Sequence, residues 1–209
     1  MNKLKVLPER DQFNQVFELV RAYHEAIPKF LQKKLDSGAA LELLSVWRAG
    51  IEPASEHAPF NERYELTYNS WLWMLRSSLD FVEEKLDQAG QEEFQALLLE
   101  VHKKLENSAG LSMMRLLADP QEIAAQMLSR MQWLGPVEMV ESSPRRVLAR
   151  IPVCKIAERH GMEEVCKTCQ RLFIHLAADP YRLRMAFRCQ QGGCDILLAP
   201  PGQTHELKK

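Results

Sequence analysis

No cysteine occurs in the first 153 residues of this 209-residue chain, and all five fall between Cys154 and Cys194. That absence excludes a disulfide framework for most of the molecule and confines any thiol or metal chemistry to the C-terminal part. Charge imbalance is missing as well: 27 Lys and Arg stand against 28 Asp and Glu, a net charge of −1. Nucleic acid is therefore disfavoured as the main partner, because a phosphate-binding domain carries a basic excess. No apolar run approaches the roughly eighteen residues of a membrane span. Met1–Pro8 has neither the apolar core nor the small-residue cleavage site of a signal peptide. The expectation is a cytoplasmic protein with no membrane partner. Glycine (9) and proline (11) are too scarce for wholesale disorder, and 46% hydrophobic with 26% charged residues is an ordinary globular composition.

What the first 133 residues do have is helical periodicity. Phe13, Val16, Phe17, Leu19 and Val20 recur at helix spacing behind Asp11, a possible N-cap, until Pro28 is expected to end or kink the helix. Asp36-Ser37-Gly38 reads as a turn before a second helix over Ala39–Trp47. The stretch 51–60, with Pro53, His57 and Pro59, reads as a loop. His57 has no neighbours that would give it a mechanism. Leu72, Leu75, Leu79, Val82 and Leu86 then mark one helix face, and Phe94, Leu97, Val101 and Leu105 a second. Together they suggest an antiparallel helix hairpin. The same stripe fits a dimer seam, so a homodimer is the alternative. Asn107–Gly110 reads as a loop and Leu111–Leu117 as a short helix. Asp119-Pro120 is an N-cap and N1 pair opening a helix to about Trp133. Met113, Met114, Met127 and Met131 suit core filling or a small-molecule pocket.

From residue 134 to 200 the period changes. Val137–Glu141 and Arg145–Val153 flank Ser142-Ser143-Pro144 as a hairpin, and the second strand alternates Val147, Ala149, Ile151 and Val153 on one face. Residues 155–178 read as helix, reset at His160-Gly161, with Val165, Cys169, Leu172, Phe173 and Leu176 on its apolar face. Tyr181–Cys189 alternates apolar residues with Arg182, Arg184 and Arg188. A turn at Gln190–Gly193 leads to a returning strand carrying Cys194, Ile196 and Leu198. The class is therefore α+β: a helical scaffold over 1–133, an antiparallel ββαββ unit over 134–200 carrying all the cysteines, and a flexible tail over 201–209.

The cysteine spacing, Cys154-x11-Cys166-x2-Cys169-x19-Cys189-x4-Cys194, allows three kinds of site. Cys166, Cys169, Cys189 and Cys194 would form a four-thiolate site for zinc or an iron–sulfur cluster if the helix packs on the strand turn, although helical cysteines and a four-residue gap are loose for a zinc pattern. Cys154, at the end of a strand with Lys155, Arg159 and His160 nearby, is the candidate reactive thiol, with His160 or His175 as its base. Alternatively the thiols are core packing. Arg145, Arg146, Arg150, Arg182, Arg184 and Arg188 would make a cationic sheet face, either solvated and paired with local acids or suited to the carboxylate or phosphate of a small molecule.

Cys154-Lys-Ile-Ala-Glu-Arg-His-Gly-Met-Glu-Glu-Val-Cys166-Lys-Thr-Cys169, followed by Phe187-Arg-Cys189 and Gly192-Gly-Cys194-Asp-Ile196, resembles the C-terminal half of the L-2-amino-thiazoline-4-carboxylic acid hydrolase-like family. The resemblance covers about residues 136–198. It implies a helical N-terminal part and a hydrolase that opens a small sulfur-containing heterocycle, or a non-catalytic relative that keeps a small-molecule pocket. Cys154, Cys166, Cys169, Cys194 and Asp195 match the motif, with Cys154 as nucleophile or pocket thiol and Asp195 as its polar partner. Ile196 departs from an aromatic position, and Cys189 lies outside the pattern. The glycine turn followed by a strand cysteine also resembles vinyl-reductase-type small-molecule-binding domains.

Overall fold

The computed structural model describes residues 4–53, 55, 57–106, 118–190 and 192–203. Helices come first and an antiparallel sheet last, so the protein is α+β. The chain divides into two compact units, Phe13–His102 and Met1–Gln12 with Lys103–Lys209.

In the first unit the apolar steps of the sequence become buried helix faces. Helix α1 (Glu9–Lys34) buries Val16, Leu19, Tyr23, Ile27 and Leu31, and it continues past Pro28, where an end or a kink was expected. Proline in a helix costs about 3 kcal/mol. Ile27 and Leu31, both fully buried on either side of it, each return about 1.5–3 kcal/mol through burial, so packing wins. Helix α2 (Ser37–Gly50) starts two residues earlier than the apolar pattern, because the Asp36 carboxylate accepts the Ala39 amide at 2.8 Å and caps it. The expected loop follows, with His57 exposed in it.

Helix α3 (Phe60–Lys85) buries far more than the leucine stripe: Tyr64, Tyr68, Trp71, Met74, Ser78 and Phe81 are inside along with Leu72, Leu75 and Val82. Leu86 and Asp87 join it to α4 (Gln88–Glu106), where Leu98 takes the core position expected of Leu97. His102 is buried on that face, and its Nε2 lies 2.9 Å from the Tyr23 hydroxyl. The readings made for Asn107–Leu117 lie outside the described residues.

The second unit is built on a four-stranded antiparallel sheet in the order β1-β2-β4-β3. Its strands are β1 (Glu138–Ser143), β2 (Arg146–Ile151), β3 (Arg184–Gln190) and β4 (Gly193–Ala199). Helix α5 (Pro120–Arg130) opens as expected, with the Asp119 side chain accepting the Glu122 amide at 2.8 Å and Pro120 in its first turn. A 3-10 turn, Met131–Leu134, completes it. Its buried Gln132 ties down the start of the chain, accepting the Leu7 amide at 2.7 Å and donating to the Lys5 carbonyl at 2.8 Å. Strand β2 alternates as its sequence does, with Val147, Ala149 and Ile151 buried, whereas every residue of the central β4 is buried. Helix α6 (Glu163–Ala178) packs on β3 and buries Val165, Cys169, Leu172, Phe173 and Leu176. Strand β3 is shorter than the alternation from Tyr181, since Arg182 adopts φ 55°, which no strand residue has.

Candidate functional site

The site begins where β2 ends. Helix was expected from residue 155 with a reset at His160-Gly161; residues 155–160 make only turns, and α6 starts at Glu163, just past the expected reset. The intervening amides have other partners: the Lys155 N–H donates to the Leu134 carbonyl at 2.8 Å, and the Cys154 N–H donates to the Gly192 carbonyl at 2.7 Å. The segment is thereby held between the end of the 3-10 turn and the β3–β4 hairpin. Two glycines make this approach possible. A Cβ on Gly135, which has φ 152°, would stand 2.1 Å from the Val153 carbonyl oxygen. One on Gly193 would stand 2.5 Å from the oxygen of Ile151 and 2.7 Å from that of Pro152. Both obstacles are backbone, so neither can rotate away.

Cys154 is buried inside the tight turn that follows, where the amides of Ala157 and Ile156 hydrogen-bond to its sulfur. Cys166 lies in the first turns of α6, half-buried, and accepts a hydrogen bond from Gln170 Nε2 at 3.3 Å. Cys169 is one turn further on, buried on the apolar face. Cys189 and Cys194 face each other across β3 and β4, the first exposed and the second buried.

All five are free thiols, and several act on one another's ionisation. Cys166 donates a hydrogen bond to Cys189, and that bond, with burial next, pushes the Cys166 thiol up strongly. For Cys189 the same bond favours the thiolate, but its own bond to Cys194, burial and the charge of neighbouring thiols outweigh it and leave it pushed up to about 12. Burial raises Cys169 most, with Cys154, Cys166 and Cys189 adding to the rise. Burial likewise raises Cys154, against the two amide bonds and with Cys166 and Glu158 adding to it. Cys154, Cys166, Cys169 and Cys189 are thus all pushed toward the protonated thiol, each influenced by at least one other cysteine. Among the described residues, no group of three or more His, Cys, Asp or Glu side chains could hold a metal ion.

The other expected site residues lie elsewhere. Asp195 follows Cys194 in β4, so its side chain leaves the opposite face of the sheet. There its carboxylate, 5% exposed, accepts from Arg150 Nε at 2.7 Å and from Arg188 Nη2 at 2.6 Å. Those two bonds, Arg150's first, hold its carboxyl below the usual carboxylate range. His160 and His175 are exposed, and neither is among the groups acting on the four thiols whose ionisation is shifted. The arginine face is in part self-paired, since Arg146 also binds Glu141 at 2.6 Å. The residues that sequence reasoning missed are Gly135 and Gly193. Gly-Pro and Gly-Gly were legible only as turn signals, because the backbone each must admit comes from a distant strand end.

Compared with known proteins, the chain matches no protein family, no curated protein and no solved structure.

Proposed function

We propose that the cysteine-bearing unit is a thiolate-ligated metal module, taking up a zinc ion or an iron–sulfur cluster. The observation that supports it is that thiols from a turn, a helix and a hairpin act on one another's ionisation in pairs, two of them only partly buried or exposed. Packing alone gives no reason to place Cys166 and Cys189 in hydrogen-bond contact at the edge of the core. Thiols that raise one another's ionisation give up their protons readily only to a cation, and a soft metal supplies that charge. The sulfurs act on one another in pairs and do not yet surround a common point, so ligation calls for side-chain rotation at Cys166 and Cys189. Metal analysis and the visible spectrum of anaerobically purified protein test the reading. The expected result is about one equivalent of zinc or the absorption of an iron–sulfur cluster. Absence of both refutes it.

The family resemblance supports a second reading, a hydrolase opening a small sulfur-containing ring with Cys154 as nucleophile. The amides aimed at the Cys154 sulfur favour it, whereas the commitment of Asp195 to two arginines and the burial of Cys154 do not. Ring opening that survives alkylation of the thiols would remove this reading.

A further inference from the structure

We propose that Cys189 and Cys194 form a reversible disulfide site, in which the exposed Cys189 takes up a small-molecule disulfide and the buried Cys194 resolves the adduct. The inference does not rest on the metal reading above.

The hairpin geometry carries it. Gln190 pairs with Gly193 as the last rung of the β3–β4 ladder, which leaves a two-residue turn, 191–192, with Gly192 at φ 82°. So short a turn is closed by a rung whose two residues exchange both backbone hydrogen bonds, and the rungs alternate from there. Cys189 and Cys194, one rung on, are therefore a non-hydrogen-bonded pair. In such a pair the Cα atoms stand about 4.5 Å apart and the side chains leave the same face. A disulfide spans about 4.4–6.8 Å between Cα atoms, so closing this one needs only a pinch of about 1 Å between the β carbons. The rung beyond holds the register, since Arg188 Nη2 donates to the Asp195 carboxylate at 2.6 Å. At the tip, the Cys154 N–H on the Gly192 carbonyl at 2.7 Å and the backbone packed against Gly193 keep the turn in place.

The two thiols differ in access. Cys189 is exposed and Cys194 is 7% exposed, so a dissolved reagent meets Cys189 first. The Cys189 thiolate attacks one sulfur of a small disulfide RSSR; that S–S bond breaks, and RS⁻ leaves with the electron pair and takes a proton from solvent. Cys194 then gives its proton to solvent, attacks the Cys189 sulfur of the mixed disulfide and expels the second RS⁻. Two protein thiols and RSSR become one protein disulfide and two RSH, so the protein loses two electrons and two protons and the reagent gains them. A dithiol reverses the exchange. With Cys189 pushed up to about 12, little thiolate exists at neutral pH, and the site follows sustained oxidation rather than a brief pulse. Oxidation also exchanges the contact of Cys189 with Cys166, between β3 and α6, for a bond within the hairpin.

The experiment incubates the reduced full-length protein with glutathione disulfide at about pH 9, in the presence of a chelator, then alkylates the remaining thiols and digests with trypsin. Cleavage puts Cys154, Cys166 and Cys169 on separate peptides but leaves Cys189 and Cys194 together on 189–208, since no Lys or Arg lies between them. The wild-type 189–208 peptide should be unalkylated and two hydrogens lighter than its reduced form, and dithiothreitol should restore it. C194S should stop at the mixed disulfide, with one glutathionyl group on Cys189, and C189S should leave Cys194 unmodified by glutathione. Circular dichroism confirms folding of both variants, and the wild-type map decides alone if either fails to fold. A 189–208 peptide joined to 160–167, which is a Cys166–Cys189 bond, overturns the assignment. So does a wild-type peptide that stays reduced or keeps the glutathionyl group. Metal or a cluster in the protein as isolated is neither required for this bond nor excluded by it, so the two readings fail separately.

Discussion

His102 in the helical unit and Asp195 in the cysteine-bearing unit are both buried ionisable side chains, and each is accommodated by the opposite means. Burial lowers the His102 pKa to about 4, so at neutral pH it is an uncharged ring beside the Tyr23 hydroxyl. Asp195 keeps its charge, because Arg150 and Arg188 each take one of its carboxylate oxygens. The helical unit thus holds a neutral imidazole in its interior, whereas the sheet holds an ion pair on one face and thiols on the other. Perturbed ionisation alone does not mark a site: burial shifts His102, Cys154 and Cys169 most, and only for Cys166 and Cys189 do bonds between thiols come first.

The comparison can be broken most severely at Gly193. Gly193→Ala puts a methyl group against two backbone oxygens that cannot move aside, and more than about 3 kcal/mol of stability should be lost. Denaturant unfolding should register this, and the thiols should become freely titratable while the far-ultraviolet helix signal largely persists. Unchanged thiol accessibility would mean that the glycine approach does not hold the cluster together.

Acid should separate the two units next. The folded pKa of His102 lies below its unfolded value of 6.5, so the unfolded chain takes the proton first. Stability is full above pH 6.5 and falls as pH drops toward about 4, by about 3 kcal/mol in all. Urea midpoints measured across that window should fall for the wild type and fall less for His102→Leu; parallel curves would deny His102 this part. Asp195 behaves differently. Its folded pKa is lowered, so its contribution is present above the ordinary carboxylate range and is lost only as pH falls through a still lower value.

The smallest of the three effects is expected at Asp195 itself. Asp195→Asn leaves two arginines facing a neutral amide, and because both guanidinium groups are partly exposed the cost should be about 2 kcal/mol, below that of breaking a fully buried pair. Metal or cluster content should survive the substitution, since the carboxylate leaves the opposite face from the sulfurs. A protein that stays stable but loses its metal would place Asp195 within the site.

The order of helices and strands, the Asp119 cap and the β3–β4 hairpin were legible because each rests on local spacing or local hydrogen bonds. The helix expected over 155–160 was not, since a single turn closes there, with the Glu158 N–H on the Cys154 carbonyl, before Gly161 takes φ 71°. Pro28 does not end α1 for the same reason in reverse, because the buried residues that carry the helix past it act over the whole unit. Cys166 and Cys189 illustrate the limit most clearly: 23 positions apart in the chain, they meet only because α6 packs against β3.

The rung formed by Arg150, Asp195 and Arg188 lies one residue along from the rung formed by Ile151, Cys194 and Cys189. A strand that slipped by a single position would exchange the two, driving a carboxylate in among the sulfurs and turning a thiol out to water. The ionic rung therefore works as a key: only one alignment of three strands satisfies it, and that alignment is the one that delivers Cys189 and Cys194 to the same side of the sheet.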